Sequence, residues 1–220
     1  MSKIAQGFDH GKAFIPFVTA GDPDLETTKE LLPVLQESGA DLIEIGIPFS
    51  DPGGEGIMTY ANVIFVYGIE KFAKRSKEIG MSGVIIPDVP FEEKEEMDSV
   101  FSKYDLDVIS LIAPTSHDRI QAIAAEAKGF VYCVSSLGVT GMRSTINKGV
   151  AQMIEQVKKT KDIPCAIGFG ISTPEQAKEM SEFSDGVIVG SAIVKLVETY
   201  GKECIKPVSE YVKSMKEAIS

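Results

Sequence analysis

The chain has 220 residues, of which 44% are hydrophobic and 25% charged, and its formal net charge is −10. This composition allows a single domain with a sizeable core and excludes intrinsic disorder. The acidic balance argues against nucleic acid and anionic membranes as partners. No stretch approaches the roughly 18 apolar residues of a membrane span, and the N-terminus shows no secretion signal, so we expect a cytoplasmic protein.

The cysteine and histidine content disfavours metal and redox sites. Cys133, Cys165 and Cys204 form no C-x-x-C pair, so we expect reduced thiols, mostly in the core. With only two histidines a metal site is not expected. No G-x-G-x-x-G motif indicates a dinucleotide, and no lysine lies within a predicted strand to form a Schiff base.

Short apolar runs alternate with longer stretches of helical period, which is typical of parallel β/α architectures. The predicted strands are Phe14–Thr19, Asp41–Ile47, Ile57–Ala61, Gly83–Pro87, Val108–Ile112, Phe130–Val134, Cys165–Gly168 and Gly186–Gly190. The predicted helices are Leu25–Ser38, Gly68–Ile79, Glu92–Lys103, Asp118–Ala127, Lys148–Thr160, Pro174–Ser181, Ala192–Thr199 and Lys202–Ile219. Eight strands in this order predict a closed barrel or a doubly wound sheet. Polar and turn residues after the strands favour the barrel, a (βα)8 TIM-type domain over residues 1–220.

The connection between the second and third predicted strands is too short for a helix. It holds only Ser50–Gly56, whereas a parallel crossover needs about a dozen residues. The barrel therefore lacks its second helix, or its third strand is irregular, or the sequence omits a segment. We expect the outer faces of these two strands to be exposed, which predicts either self-association or a rearrangement of the third strand.

Three glycine-rich loops follow the last three predicted strands. They are Gly138–Gly141, Gly168–Gly170 and Gly190–Ser191, and the last two precede helices. Each alone is most simply a tight turn. Together, glycines that expose backbone N–H groups at helix N-termini predict a phosphate site on adjacent strands.

Acidic and apolar residues supply the other candidate site groups. Glu44 lies in a β-branched strand, and either faces outward in a salt bridge or points into the barrel, where burial would raise its pKa as a general acid requires. Asp51 and Glu55 lie in the next loop, where Asp51 is also a plausible turn residue. The residues Phe17, Met58, Ile85, Tyr132 and Phe169 lie near strand ends and suit either barrel core or a pocket for a flat ligand.

These segments, in order, resemble the tryptophan synthase α-chain family over nearly the whole chain. The matching segments are Phe14–Pro23, Glu44–Pro52, Met58–Asn62, Pro87–Pro90, Gly138–Gly141, Gly168–Gly170 and Val189–Ser191. Each motif alone is modest, but the ordered set is highly specific.

The resemblance implies a lyase that cleaves indole-3-glycerol phosphate to indole and glyceraldehyde 3-phosphate by a retro-aldol reaction. It places Glu44 on the catalytic glutamate and Glu55 on the second acid, where the family has an aspartate. Indole-pocket positions then fall on Phe17, Tyr60 and Tyr132. The predicted substrate site also includes Ile85 and Phe169 from the apolar residues near strand ends, and Thr140, Gly141, Gly170, Gly190 and Ser191 from the glycine-rich loops. The family uses no cofactor in this chain, and its partner is a pyridoxal-phosphate β chain.

The chain departs from the family after Gly56, where roughly 40 residues, about one βα unit, have no counterpart. Two functions remain open at this point. One is an active or weakened lyase, and the other is a non-catalytic barrel that keeps the fold and the phosphate site. An epimerase-like phosphate-binding barrel is disfavoured because this sequence lacks the metal ligands that such an enzyme would need.

Overall fold

A computed structural model describes residues 2–47, 58–135, 143–168 and 170–220, with backbone alone for Glu92, His117 and residues 143–148. Its strands are β1 (Ala13–Thr19), β2 (Glu44–Gly46), β3 (Gly83–Val84), β4 (Asp107–Val108), β5 (Ser110–Ile112), β6 (Val131–Val134), β7 (Cys165–Gly168) and β8 (Gly186–Val189). Strands β2, β1, β8, β7, β6 and β5 pair in that order, all parallel, and β3 pairs with β4.

The ring closes through one residue, Met58. It forms parallel bridges to Gly46 on one side and to Ile85 on the other. On the far side of β3 from Met58, β4 and β5 act as a single barrel strand interrupted at Ile109, whose N–H donates to the carbonyl of Val84 at 2.9 Å. The predicted closed parallel barrel is therefore confirmed.

The third strand of the barrel is shorter than predicted. The Met58 N–H donates to Ile45 at 2.9 Å, the Met58 carbonyl accepts from Ile47 at 2.9 Å, and the next N–H, of Thr59, already donates to Ile85 at 3.0 Å. A helix begins at Ala61, whose N–H donates to the Asp88 carboxylate at 2.9 Å. Since an anion at a helix N-terminus favours the helix, the strand predicted over residues 57–61 ends early.

Helices cover the outside of the barrel. They are α1 (Lys3–Gln6), α2 (Leu25–Glu37), α3 (Ala61–Tyr67), α4 (Ile69–Glu78), α5 (Lys94–Phe101), α6 (Ile120–Glu126), α7 (Arg143–Thr160), α8 (Pro174–Ser181), α9 (Ser191–Tyr200) and α10 (Ile205–Ile219). Short 3₁₀ turns at Phe91–Glu93, Ser102–Tyr104, Pro114–Arg119 and Gly201–Cys204 flank several of them. Within the described ranges no helix is long and apolar enough to cross a membrane.

The core has two layers because side chains alternate across each strand. Ile15, Ile85, Tyr132, Ala166 and Ile188 fill the barrel interior. The opposite faces of the strands pack against the helices in two further clusters.

The outer face of the second strand is covered, contrary to the prediction from the short connection. Ile45 and Ile47 are buried, and so is Thr59 beyond the bridge. The two most exposed large apolar side chains of the described residues instead lie on α3, where Phe65 is 56% and Val66 87% exposed.

A polar contact ties the end of the chain to the start of the barrel. The Asp41 carboxylate accepts from the backbone N–H of Phe14 at 2.7 Å and from Lys216 Nζ at 2.8 Å. Lys216, on α10, also donates to the carbonyl of Lys12 at 2.8 Å. Because both side chains of this ion pair are largely shielded from solvent, the contact resists screening better than a surface pair.

We therefore expect Asp41→Ala to lower the free energy of unfolding by about 1–3 kcal/mol, since it leaves the buried N–H of Phe14 without its acceptor and the shielded Lys216 ammonium without its carboxylate partner. The matched control is Glu155→Ala, which removes an exposed ion pair with Lys159 and should leave stability almost unchanged because solvent screens such a pair. Urea unfolding of both variants measures the difference. Equal effects would contradict this account of the contact.

Candidate active site

Glu44 points into the barrel. It pairs in register with Phe17 of β1, and Gly46, two residues along, shares its side of the sheet. A Cβ added to Gly46 would overlap the Phe17 ring, so Glu44 and Gly46 lie on the same side of the sheet as that ring. The second strand thus carries its acid on the inner face.

The Glu44 carboxyl group is buried without a partner. The residue is 3% exposed, and neither carboxyl oxygen has a hydrogen-bond partner in the described structure. Burial raises its pKa from 4.5 to about 8, because desolvation disfavours the charged form. At neutral pH the group therefore holds a proton that it can donate.

Tyr132 lies near this acid. Its ring is buried in the barrel interior on β6. Burial, and secondly the charge of Glu44, raise the pKa of the phenol above its usual range. A Cβ on Gly168 of the next strand would overlap the Tyr132 ring, so the ring lies against that glycine.

Phe17 forms the facing aromatic wall. Its ring spans from Gly46 on β2 to Gly190 at the end of β8, where an added Cβ would stand 3.3 Å from the ring. Ile85 is buried beside the Met58 bridge. Two rings and aliphatic side chains thus surround the acid, a lining suited to a flat apolar ligand.

Tyr60, the remaining predicted pocket residue that the structure describes, lies at the rim of this region. It is the residue before α3 and is 46% exposed. The structure therefore places its side chain less deeply than those of Phe17 and Tyr132.

The described part of the predicted phosphate site lies on two neighbouring strands. Gly170, with φ of +75°, follows β7, and Gly190 precedes α9 at the end of β8. The first backbone N–H groups of α9, beginning at Ser191, lack intrahelical acceptors. Of the predicted site residues, Glu55, Thr140, Gly141 and Phe169 lie outside the described residues.

The sequence reasoning missed that Gly46 and Gly168 pack against aromatic rings, since it had placed Gly168 only in a phosphate-binding loop. Both leave space that an aromatic ring from a neighbouring strand occupies. The available signal was a glycine inside an apolar strand, which often marks a close approach.

A closed parallel barrel with a protonated glutamate among aromatic side chains defines a barrel enzyme of acid–base chemistry. The family model for the tryptophan synthase alpha chain matches residues 5–57 and 56–220. The chain therefore belongs to the tryptophan synthase alpha chain family.

Curated relatives carry the same family name. The alpha chain of Thermoanaerobacter sp. (strain X514) is 42% identical over 94% of each chain. The alpha chain of Caldanaerobacter subterraneus is 40% identical, with complete coverage of both chains. Among solved structures, the Legionella pneumophila alpha chain has a TM-score of 0.85 and 32% identity, covering 100% of this chain and 97% of its own. An Aquifex aeolicus protein has a TM-score of 0.86 and 34% identity, covering 100% and 99%.

The comparisons also locate the missing segment. The alignment with the Caldanaerobacter protein extends over 262 positions against the 220 residues of this chain, a difference of 42. The two parts of the family match meet at residues 56 and 57. The chain thus lacks a segment of about the predicted size after Gly56.

The buried acid predicts how stability depends on pH. Below about pH 4.5 Glu44 is protonated in both the folded and unfolded chain. Between this pH and about 8 only the unfolded state loses the proton, so stability falls as pH rises. We expect Glu44→Gln to remove this loss. As the pH rises, the free energy of unfolding of the variant should therefore increase relative to that of the natural chain by a few kcal/mol, the free-energy equivalent of the pKa shift.

Urea midpoints at several pH values measure this gain, with Glu37→Gln on the exposed face of α2 as the control. Parallel pH profiles for Glu44→Gln and the natural chain would show that the carboxyl group is not a buried neutral acid.

The glycine contacts make a second prediction. Gly168→Ala should displace the Tyr132 ring and weaken binding of an aromatic ligand by roughly tenfold or more, because the added methyl group occupies the ring's position. Gly149→Ala, in open space on α7, is the control. Calorimetric titration with indole distinguishes them, and equal affinities would refute this role of Gly168.

Proposed function

We propose that this chain cleaves indole-3-glycerol phosphate to indole and glyceraldehyde 3-phosphate, as a carbon–carbon lyase of tryptophan biosynthesis. The observation that carries the proposal is the Glu44 carboxyl group, buried, unpartnered and protonated near neutral pH. Membership of the tryptophan synthase alpha chain family supports the choice of substrate.

Glu44 is proposed to give its proton to indole C3. Protonation there makes the ring an electron acceptor, so the bond from C3 to the glycerol side chain breaks and its electron pair returns to the ring. The side-chain hydroxyl gives its proton to the Glu44 carboxylate, which returns to its protonated form, and the carbon that carried the hydroxyl becomes the aldehyde of glyceraldehyde 3-phosphate. A carboxyl group with a pKa near 8 suits this role, because a general acid works best when its pKa lies near the working pH.

The apolar side chains around Glu44 are proposed to hold the indole ring. Phe17 and Tyr132 would form its two walls, with Ile85 between them, Tyr60 at the rim and Phe169 after β7. The close contacts of Phe17 and Tyr132 with glycines support an indole site whose aromatic walls are held in fixed positions.

The loops after the last barrel strands are proposed to bind the phosphate. Gly170, Gly190 and Ser191 would offer backbone N–H groups, and the N-terminus of α9 would add partial positive charge. Thr140 and Gly141 complete this site in the proposal. Local donors of this kind bind an anion in spite of the overall charge of −10.

Glu55 is proposed as the second acid, which would contact the indole N–H. A glutamate is one methylene longer than the family's aspartate, and a displacement of about 1 Å costs roughly 10²-fold in rate. The missing segment begins after Gly56, the next residue in the chain. We therefore expect a slow enzyme.

The proposed partner is a tryptophan synthase β chain, which would receive the indole, and the proposed location is the cytoplasm. The reaction as written needs no metal or cofactor. Because the missing segment lies beside the proposed second acid, we expect a weakened interaction with the β chain.

A second candidate is a non-catalytic barrel that retains the fold and the phosphate site. The observation that favours it is the absence of about 42 positions after Gly56. It predicts binding of the substrate without release of indole.

The deciding experiment measures indole release from indole-3-glycerol phosphate, with and without a β chain. We expect slow release that Glu44→Gln lowers by a further 10²-fold or more, while Glu37→Gln leaves it unchanged. The rate should also fall above about pH 8, where Glu44 loses its proton. Calorimetry of substrate binding to each variant separates lost chemistry from lost binding. Substrate binding with no indole release would favour the non-catalytic barrel.

A further inference from the structure

A cavity of about 260 Å³ lies where β4 and β5 face the helices α5 and α6. Val108, which packs with the helices, lines it, and Ile109 and Leu111, which pack with the barrel interior, also border it. None of the side chains described around Glu44 lines this cavity, so it is distinct from that site.

The polar groups of this cavity are cationic or neutral. Lys94 and Arg119 line it together with the hydroxyl groups of Ser110 and Ser116, and the remaining described lining residues are apolar. The described lining thus has no carboxylate, although the chain has a net charge of −10.

Lys94 is held in place by a hydrogen bond but is not paired with a carboxylate in the described structure. Its Nζ donates to Ser110 Oγ at 2.7 Å, while Asp98, one helical turn along α5, pairs with Lys128 at 2.6 Å. Within the described structure no carboxylate lies within ion-pair distance of Lys94. An ammonium group has three donors, so two remain for another acceptor.

This arrangement carries an energetic cost that an anion would relieve. Burial lowers the pKa of Lys94, and Lys128 acts in the same direction, while Asp98, Glu126 and Asp107 oppose it. A half-buried ammonium beside apolar side chains is unfavourable unless it is paired. The hydroxyl of Ser110 is buried and accepts from Lys94, so its own proton is available to the same anion.

We propose that this cavity binds a small organic carboxylate with a flat apolar body of about one ring. The carboxylate would accept from Lys94 Nζ and Ser110 Oγ, and the ring would pack against Phe91, Met97 and Ile123. The volume lies below the range of about 300–1,000 Å³ for drug-sized ligands, which limits the occupant to one ring. The apolar lining favours this ligand over a free phosphate.

Benzoate is the probe, and benzamide is its neutral counterpart. In protein with ¹³C-labelled isoleucine and methionine methyl groups, benzoate should shift the Met97 and Ile123 signals saturably, with a Kd on the order of 1 mM. Lys94→Met and Ser110→Ala should each weaken this binding about tenfold, and benzamide should bind no better to the natural chain than to Lys94→Met. Lys74→Met, an exposed lysine on α4, is the control.

Lys94→Met should fold well because it replaces a shielded charge with an apolar side chain of similar length. Shifts at Ile85 and Ile15 in place of Met97 and Ile123 would place the probe inside the barrel and overturn the proposal. Equal affinity for the natural chain and Lys94→Met, or no saturable shift, would overturn it too. This result is independent of the indole assay, so the two proposals fail separately.

Discussion

One constraint on the barrel interior is the burial of a single ionisable group, the Glu44 carboxyl. The parallel register of β1 and β2 sets Glu44 beside Phe17 and fixes which face of the second strand is turned inward. A shift by one residue would turn the acid outward and Ile45 inward. Because no described group pairs with the carboxyl oxygens, the protein tolerates the acid by keeping it protonated. The desolvation cost of the ionised carboxyl group lowers the stability of the folded chain at higher pH, and it also makes the group a proton donor.

The barrel closes although a segment is missing, because the bridges of one residue, Met58, are enough to join the neighbouring strands at that position. The bridges of Met58 to Gly46 and Ile85 satisfy the backbone groups that would otherwise be exposed edges. The helix that follows this bridge, α3, carries the exposed apolar side chains Phe65 and Val66. The barrel is thus closed in this chain although the segment after Gly56 is missing.

The sequence predicted most of the barrel because buried parallel strands and amphipathic helices have distinct periods. The strand Cys165–Gly168 and the helix Pro174–Ser181 have the predicted bounds, and the helix begins with the capping box of Thr173 and Gln176. The third strand was predicted too long because Asp88, distant in sequence, favours a helix from Ala61. The exposure of the second strand was also predicted wrongly, since packing around Ile45 and Ile47 cannot be read from spacing alone.

For the site, the family motifs indicated Glu44, while its inward direction and its lack of partners needed the structure. The roles of Gly46 and Gly168 depend on rings from neighbouring strands, and such contacts leave only a weak trace in a sequence. The Lys94–Ser110 contact joins residues on a helix and a strand, a proximity that no local pattern indicates.

The most direct test of this account is the titration of Glu44 itself in the folded chain. Carboxyl signals of ¹³C-labelled glutamate would be followed by NMR from acid to alkaline pH, with Glu44→Gln identifying the signal. The account predicts a single carboxyl group whose midpoint lies near pH 8. A midpoint near 4.5, the usual value, would mean that the group is solvated or paired, and would contradict both the buried acid and its proposed role.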